Sequence, residues 1–387
     1  MASVHDLRSL VPTAPHWHID WDRIRASELG NALRDLESVP QNPQYHQEGD
    51  VFTHTRMVCS ELVKLEQFRS LPENRRQAVF IAALLHDLGK AVKTRLEGGQ
   101  WTSPNHASAG AQMARELLWE KFDLAGTPQT QQFRETVCCL IRNHALPPHA
   151  LDHPHPELRL LQVQANQALL PDFDLELLCL LAQADALGRI CRDRVQMEEQ
   201  VLLCREFSGE LVAAEFPFSS EFTRYARLSG RNVPPGTMLY DDSWGEILIM
   251  SGLPGTGKDT WLAQHHPDVP QVCLDRIRAE HHIGFHGSQR EVADLAFAQA
   301  KEHLRRHQEF VWNATNITPD VRRKIVSLCV SYGARVRIVY LETGLEENLR
   351  RNRGRTATVP EQVIARMRHN LTPPEVMEAH RVEWLCI

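Results

Sequence analysis

The 387-residue sequence has nine cysteines but no Cys-x-x-Cys pair, which excludes the paired-thiolate metal and redox motifs. Cys138, Cys139 and Cys179 lie among apolar neighbours, as reduced core residues of a cytosolic protein do. Missing too is any apolar run near the roughly 18 residues that cross a bilayer. The opening Met-Ala-Ser-Val-His-Asp has no signal-peptide pattern, so a cytoplasmic protein with no membrane partner is expected. Nor is there a basic excess: the formal net charge of −6 argues against a surface coated in base for nucleic acid. The part from Val233 onward balances its charges, so the whole acidic excess lies in residues 1–232. No repeat or low-complexity tract is evident. No convincing alternating strand comes before about residue 237. Residues 1–50, despite Trp17 and Trp21, give no functional cue.

What is there divides in two, as a chain of this length predicts. Helical apolar periodicity runs over roughly 53–68, 75–88, 106–121, 131–144, 157–170 and 173–190, with breaks at Pro or Gly. After Arg231-Asn232-Val233-Pro234-Pro235-Gly236 the pattern changes. Short runs at Ile247–Met250, Val311–Asn313 and Val336–Leu341 alternate with helical segments, which predicts a parallel sheet with crossover helices. The expected architecture is an all-α domain over residues 1–232 and an α/β domain over 233–387.

The clearest motif is the run Glu246-Ile-Leu-Ile-Met-Ser-Gly-Leu-Pro-Gly-Thr-Gly-Lys-Asp-Thr260. A strand feeds a glycine-rich loop, and a helical stretch from Asp259 to Gln264 follows, the context a phosphate-binding loop requires. Gly252, Gly255 and Gly257 let backbone N–H groups curl around an anion, with Thr256 between the last two. Lys258 would place its charge on the β- and γ-phosphates. Thr260, Asp259 and the glycines are therefore candidate nucleotide-binding residues, with ATP and Mg²⁺ or Mn²⁺ as the expected cofactor. Farther on, Arg350, Arg351, Arg353 and Arg355 crowd into six positions with no acid between them, a local anion clamp.

A second set of residues points to a metal. His54, adjacent His86 and Asp87, His106, His144 and Asp185 each sit in an otherwise apolar helical stretch, at wide intervals. Several helices of a bundle can bring such ligands together. Imidazoles with carboxylates suit one or two ions of zinc, iron, manganese, cobalt or nickel. By contrast, His149, His153 and His155 fall in a Pro-rich stretch and read as exposed loop residues.

On His54, His86-Asp87 and Asp185 the N-terminal half resembles the HD superfamily of metal-dependent phosphohydrolases, over roughly residues 50–200. That resemblance implies a four-part ligand set, with His106 and His144 matching the extra histidines of members that hold a second metal. A metal would polarise a phosphoryl oxygen, and a pair bridged by Asp87 would lower the pKa of a shared water. Lys90, three residues beyond Asp87, is placed to grip a substrate phosphate.

Over roughly residues 245–370 the C-terminal half resembles the 5′-hydroxyl polynucleotide kinases. Val272-Cys-Leu-Asp-Arg-Ile-Arg278 is similar to their strand bearing a general-base aspartate. The resemblance implies that Asp275 accepts the proton of the attacking hydroxyl and Arg278 holds the neighbouring phosphate; Asp275 at a strand end also reads as a helix N-cap. Val311–Asn316 matches a third strand with its Thr-Asn end, and the arginine run with Val359-Pro360 resembles an arginine-bearing lid. Arg351 aligns best there, with Arg353 and Arg355 competing for the second role. Two departures stand out: Asp259 follows Lys258 where Ser or Thr is usual, and Asn313 stands where an acid is common.

An HD hydrolase fused to a P-loop kinase resembles the bacterial HD–polynucleotide kinase fusion enzymes. This implies end healing of RNA or DNA: removal of a 2′,3′-cyclic phosphate, phosphorylation of a 5′-hydroxyl, and then joining by a ligase. A nucleotide-metabolism enzyme with a small-molecule kinase and an HD nucleotidase is the alternative. An ATP-gated binding module is a third reading, which the acceptor-side residues Asp275 and Arg278 argue against.

Overall fold

The protein is described by a computed structural model covering residues 3–284, 287–355 and 358–387. It divides into two compact units, one of Met1–Leu124 with Gln129–Phe216 and the other of Ala125–Pro128 with Pro217–Ile387.

The first unit is built around two deeply buried helices. Glu73–Leu85 buries every residue from Gln77 to Leu85, and Leu175–Leu187 every residue from Leu177 to Ala186. A helix apolar on all sides must lie inside a bundle. Asp174 starts the second of these by accepting from the Leu177 amide. The same carboxylate takes two guanidinium N–H groups of Arg75 at 2.7 Å, tying the two helices together. Val51–Leu62, capped by Asp50, packs across both. His106–Phe122, Pro128–Asn143 and Pro156–Gln164 complete the expected helices.

A long helix and a hairpin in this unit depart from the sequence expectation. Arg194–Glu215 forms a long helix outside the expected segments. It buries only Val201, Cys204, Ser208 and Glu215 and leaves Val195, Leu202 and Leu203 exposed, so its sequence carries no clean apolar stripe. Strands β1 (Arg95–Glu97) and β2 (Gln100–Thr102) pair as an antiparallel hairpin turned by Gly98 and Gly99. No residue of either strand is buried, and without a buried face no alternation is required.

The second unit holds β3 (Glu246–Ser251), β4 (Gln271–Cys273), β5 (Val311–Asn313), β6 (Arg335–Glu342) and β7 (Arg381–Cys386). They form one sheet in the order β4-β5-β3-β6-β7, with every pairing parallel. Central β3 is buried along Ile247–Ser251, and Leu248 and Met250 pack with Trp261, Leu262, Val311, Val339 and Leu341. The crossover from β3 runs to β4 on one side and the crossover from β5 runs to β6 on the other, so the cleft at the carboxyl end of β3 lies at a topological switch point, where open α/β sheets bind ligands. Helix Glu221–Leu228, ahead of the composition change near residue 232, belongs to this unit, where Glu221 pairs with Arg335 at 2.9 Å. Among the described residues no helix is long and apolar enough to cross a membrane.

Candidate functional site

The helical unit converges all six expected metal ligands. His54 comes from Val51–Leu62, His86 and Asp87 from the end of Glu73–Leu85, and Asp185 from Leu175–Leu187. His106 opens its helix, and His144 follows the last residue of Pro128–Asn143. Five of the six are buried and His106 is half-buried. Asp87 sits in the middle with its two oxygens facing different partners. Oδ2 lies 3.3 Å from His86 Nε2 and 3.8 Å from His54 Nε2, whereas Oδ1 lies 3.4 Å from His106 Nε2 and 3.9 Å from His144 Nε2. Asp185 Oδ1 is 3.0 Å from His54 Nε2.

Imidazole orientation is set by the backbone. The Nδ1 atoms of His86, His106 and His144 pair with the carbonyls of Ala83, Ser103 and Ile141 at 2.9, 2.8 and 2.7 Å. A carbonyl only accepts, so each Nδ1 carries a proton and each Nε2 is the ring atom turned to the centre. Burial lowers the pKa of His106 and pushes His144 down to about 3, which keeps both rings neutral. At Asp87 burial opposes ionisation, but the neighbouring Lys90 ammonium and His86 outweigh it and hold the carboxyl well below its usual range. His86 Nε2 and Asp87 Oδ1 are buried with no hydrogen-bond partner among the described residues. Buried polar atoms without partners are costly, and lone pairs aimed at one point are what a divalent metal satisfies. The donor set fits one or two such ions, divided at Asp87.

Several contacts here lie outside the expected set. Glu48 Oε1 stands 3.0 Å from His54 Nδ1 and bonds His46 Nδ1 at 2.7 Å, while Glu48 Oε2 accepts from the Ile190 amide. Arg189 grips Asp185 with Nη2 at 2.6 Å and Nε at 3.1 Å. Its position four residues past Asp185, within the helical segment expected over 173–190, was the one available sequence signal. Lys90 Nζ sits between Asp87 Oδ2 at 2.7 Å and Gln41 Oε1 at 2.9 Å, and is buried rather than presented to solvent. Gln41, His46 and Glu48 belong to the N-terminal stretch that offered no functional cue. His149, in the 3-10 helix Pro147–Asp152 rather than a loop, and His153 and His155 are exposed and belong to none of the ligand groups.

Gly89 makes the convergence possible. A Cβ there would lie 2.0 Å from the His106 carbonyl oxygen and 2.5 Å from the Gly110 amide nitrogen, so only glycine lets the His106 helix approach Asp87. Gly89→Ala is expected to force these backbones apart at a cost of about 1–3 kcal/mol. Its thermal unfolding midpoint should fall by several degrees, and a midpoint equal to wild type would contradict this packing account.

The sheet unit places the glycine-rich loop between β3 and helix Lys258–His265. Gly255 and Gly257 have φ of 83° and 84°, a left-handed backbone that glycine adopts without strain. Thr256 is buried and donates to the Leu253 carbonyl at 2.9 Å, bracing the loop. Lys258 Nζ donates to the carbonyls of Gly252 and Leu253 at 2.9 and 2.8 Å, and burial pushes its pKa down to about 8. Thr260 and Asp259 are exposed on the wall of a cavity of about 1350 Å³. The loop and its helix N-terminus fit a nucleotide's phosphates, and the exposed Asp259 and Thr260 offer oxygens to an accompanying cation.

Asp275 and Arg278 face the same cavity. Asp275 lies in the first turn of helix Leu274–Glu280, beyond β4; the N-cap position belongs to Cys273, so Asp275 is not the cap. Its carboxylate is 70% exposed, 3.9 Å from Arg278 Nε and 4.0 Å from Arg355 Nη2. Arg278 Nη2 donates to Gln289 Oε1 at 2.6 Å. The arginine run falls on helix Leu345–Arg353 and just after it. Glu347 holds Arg350 at 2.6 Å and Arg351 at 2.5 Å, and both line the cavity with Arg355. Arg353 instead pairs with Glu361 at 2.8 Å, outside the lining, so of the two competing arginines only Arg355 reaches the cavity.

Comparison with known proteins finds a domain match in each half. An HD domain model matches residues 51–189, and an AAA domain model matches residues 247–374. The chain is 34% identical over 167 residues to the Multifunctional CCA protein of Hahella chejuensis, covering 41% of this chain and 33% of that protein. The Multifunctional CCA protein of Pasteurella multocida is 32% identical over 115 residues, or 29% of this chain and 24% of that one. That of Mannheimia succiniciproducens is 43% identical over 60 residues, 16% of this chain and 14% of that one. The chain thus spans a third or less of the length of these relatives. A helical HD domain and a parallel-sheet domain matching the AAA model therefore follow one another in this chain.

Proposed function

We propose that the protein is a bifunctional nucleic-acid end-healing enzyme. Its helical unit removes a 2′,3′-cyclic phosphate or 2′-phosphate, and its sheet unit moves the γ-phosphate of ATP to a 5′-hydroxyl. RNA or DNA ends are the substrates, and a ligase would act on the product. The observation that carries this reading is the pairing of a ligand cluster divided at Asp87 with a phosphate-loop cavity that has an acid and a guanidinium on its acceptor side. An ATP sensor has no use for that acid.

In the helical unit, His54, His86, Asp87 and Asp185 would hold one metal, and Asp87 with His106 and His144 a second. Bound metals supply Lewis acidity to phosphoester hydrolysis. Glu48 and Arg189 fix the rings and carboxylate that face them, and Lys90 balances the negative charge at Asp87. In the sheet unit, Asp275 takes the proton of the 5′-hydroxyl as its oxygen attacks the γ-phosphorus, and ADP leaves. Lys258, Arg351 and Arg355 carry the charge that spreads over the phosphate oxygens. Arg278 pairs with the phosphate next to the reacting hydroxyl.

One oligonucleotide bearing a 5′-hydroxyl and a 2′,3′-cyclic phosphate tests both activities. Incubated with ATP, Mg²⁺ and a transition metal, it should gain a 5′-phosphate and lose its cyclic end. If both ends stay unchanged while free nucleotides are consumed, the small-molecule reading takes its place. The acceptor contact has its own test. A bidentate guanidinium–phosphate contact is worth about 1.5–3 kcal/mol, or roughly one to two orders of magnitude in kcat/KM. Wild type should prefer a nucleoside 3′-phosphate or oligonucleotide over a plain nucleoside by that factor, and Arg278→Ala should erase most of the preference. Equal use of all three by wild type would contradict the role given to Arg278.

A further inference from the structure

We propose that the carboxylate this phosphate-loop domain offers to a nucleotide-bound divalent cation is Asp259, and that Asn313 on the neighbouring strand holds it in position. The inference rests on the ATP reading above and specifies its cation site. In phosphate-loop enzymes the cation is held by a Ser or Thr of the loop and by an aspartate from a nearby strand. Here the two residue types are exchanged. The acid, Asp259, directly follows Lys258, and the neutral residue, Asn313, ends β5 beside the central strand.

The exchange is a matched pair. Asn313 Nδ2 donates to Asp259 Oδ1 at 2.8 Å and lies 3.3 Å from Gln271 Oε1 on β4. A carboxylate can only accept, so the amide must turn its NH₂ toward Asp259. An aspartate at position 313 would set two carboxylates against each other at this distance, and one would be driven neutral. The amide at 313 is thus the partner that an acid at 259 requires. Asn313 is buried, 6% exposed, and Asp259 is exposed on the cavity wall. That is the arrangement of a fixed support behind an available ligand. Asp259 also lies in the first turn of helix Lys258–His265, where the N-terminal dipole favours its charge. On this account the missing acid at position 313 does not mark a dead site. The charge has moved from strand to helix.

Binding of a non-hydrolysable ATP analogue, measured by calorimetry in EDTA and in Mg²⁺, reads the cation site without turnover. In wild type Mg²⁺ should tighten binding at least about tenfold, which lies between the worth of a charge pair near 4 Å in bulk water and at a protein surface. Asp259→Ala should lose that gain, and its binding in EDTA should equal or exceed wild type because a charge facing the phosphates is gone. Asn313→Ala should keep part of the Mg²⁺ effect. The exchanged double variant, Asp259→Ser with Asn313→Asp, should recover it. Bound Mn²⁺ per nucleotide, counted by electron paramagnetic resonance, should follow the same order. Full Mg²⁺ tightening in Asp259→Ala overturns this inference and leaves ATP binding intact. No binding by wild type with or without metal overturns the ATP reading, and this inference with it.

Discussion

Asp87→Ala should leave a protein that still phosphorylates 5′-hydroxyl ends but no longer opens a 2′,3′-cyclic phosphate. Among the described residues Asp87 is the one carboxylate with an oxygen toward each histidine group, so its loss would remove a shared ligand from both positions at once. Loss of a mere outer partner to a metal ligand costs 10–100-fold, so the phosphoesterase rate should fall by more than about a hundredfold. Stability will change too. The substitution strips Lys90 of its 2.7 Å carboxylate contact and leaves a buried ammonium with Gln41, a change that costs about 3–5 kcal/mol in comparable settings. Asp87→Asn retains the shape and provides the control. Both variants should purify with less transition metal than wild type, while the kinase rate stays within about twofold, since the ligand cluster and the phosphate-loop cavity share no residue. Phosphoesterase activity that survives in Asp87→Ala, or in wild type after rigorous chelation, would remove the metal centre from the mechanism.

Kinase activity should fail by two distinguishable routes. Lys258→Ala should lose both ATP affinity and turnover, because the only lysine in the loop lines the cavity that would take the phosphates. Asp275→Asn should bind ATP as wild type does and lose roughly 10²–10⁴ in kcat, the range a positioned general base supplies. The amide has nearly the same shape but cannot take a proton. Asp275 is largely exposed, so this change should leave the unfolding midpoint unaltered, which separates chemistry from folding. Asp275→Asn working at close to the wild-type rate would show that some other group deprotonates the hydroxyl.

The amino-acid sequence alone determined what is written in contiguous residues. The phosphate loop was legible because strand, glycines, lysine and helix follow one another within fifteen positions. Strand Val311–Asn313 matches its expected bounds, and the expected Ile247–Met250 and Val336–Leu341 each extend by a residue at both ends. Each expected metal ligand could be assigned to a helical stretch because the apolar period around it is local. The outer edge strand β7 and the helix Arg194–Glu215 escaped this reading because their partly exposed residues follow no clean period.

Tertiary structure decided how separated residues meet. Glu48 beside His54, Gln41 on Lys90, and Asn313 on Asp259 come from different elements, and nothing in the local chain signals such contacts. Arg353 and Arg355 competed for one role as sequence, two residues apart in one basic run. Only the fold separates them, since Glu361 captures Arg353 while Arg355 lies past the helix end, facing the cavity. Local periodicity fixes which face of an element is buried; which charges confront one another there depends on how the elements pack.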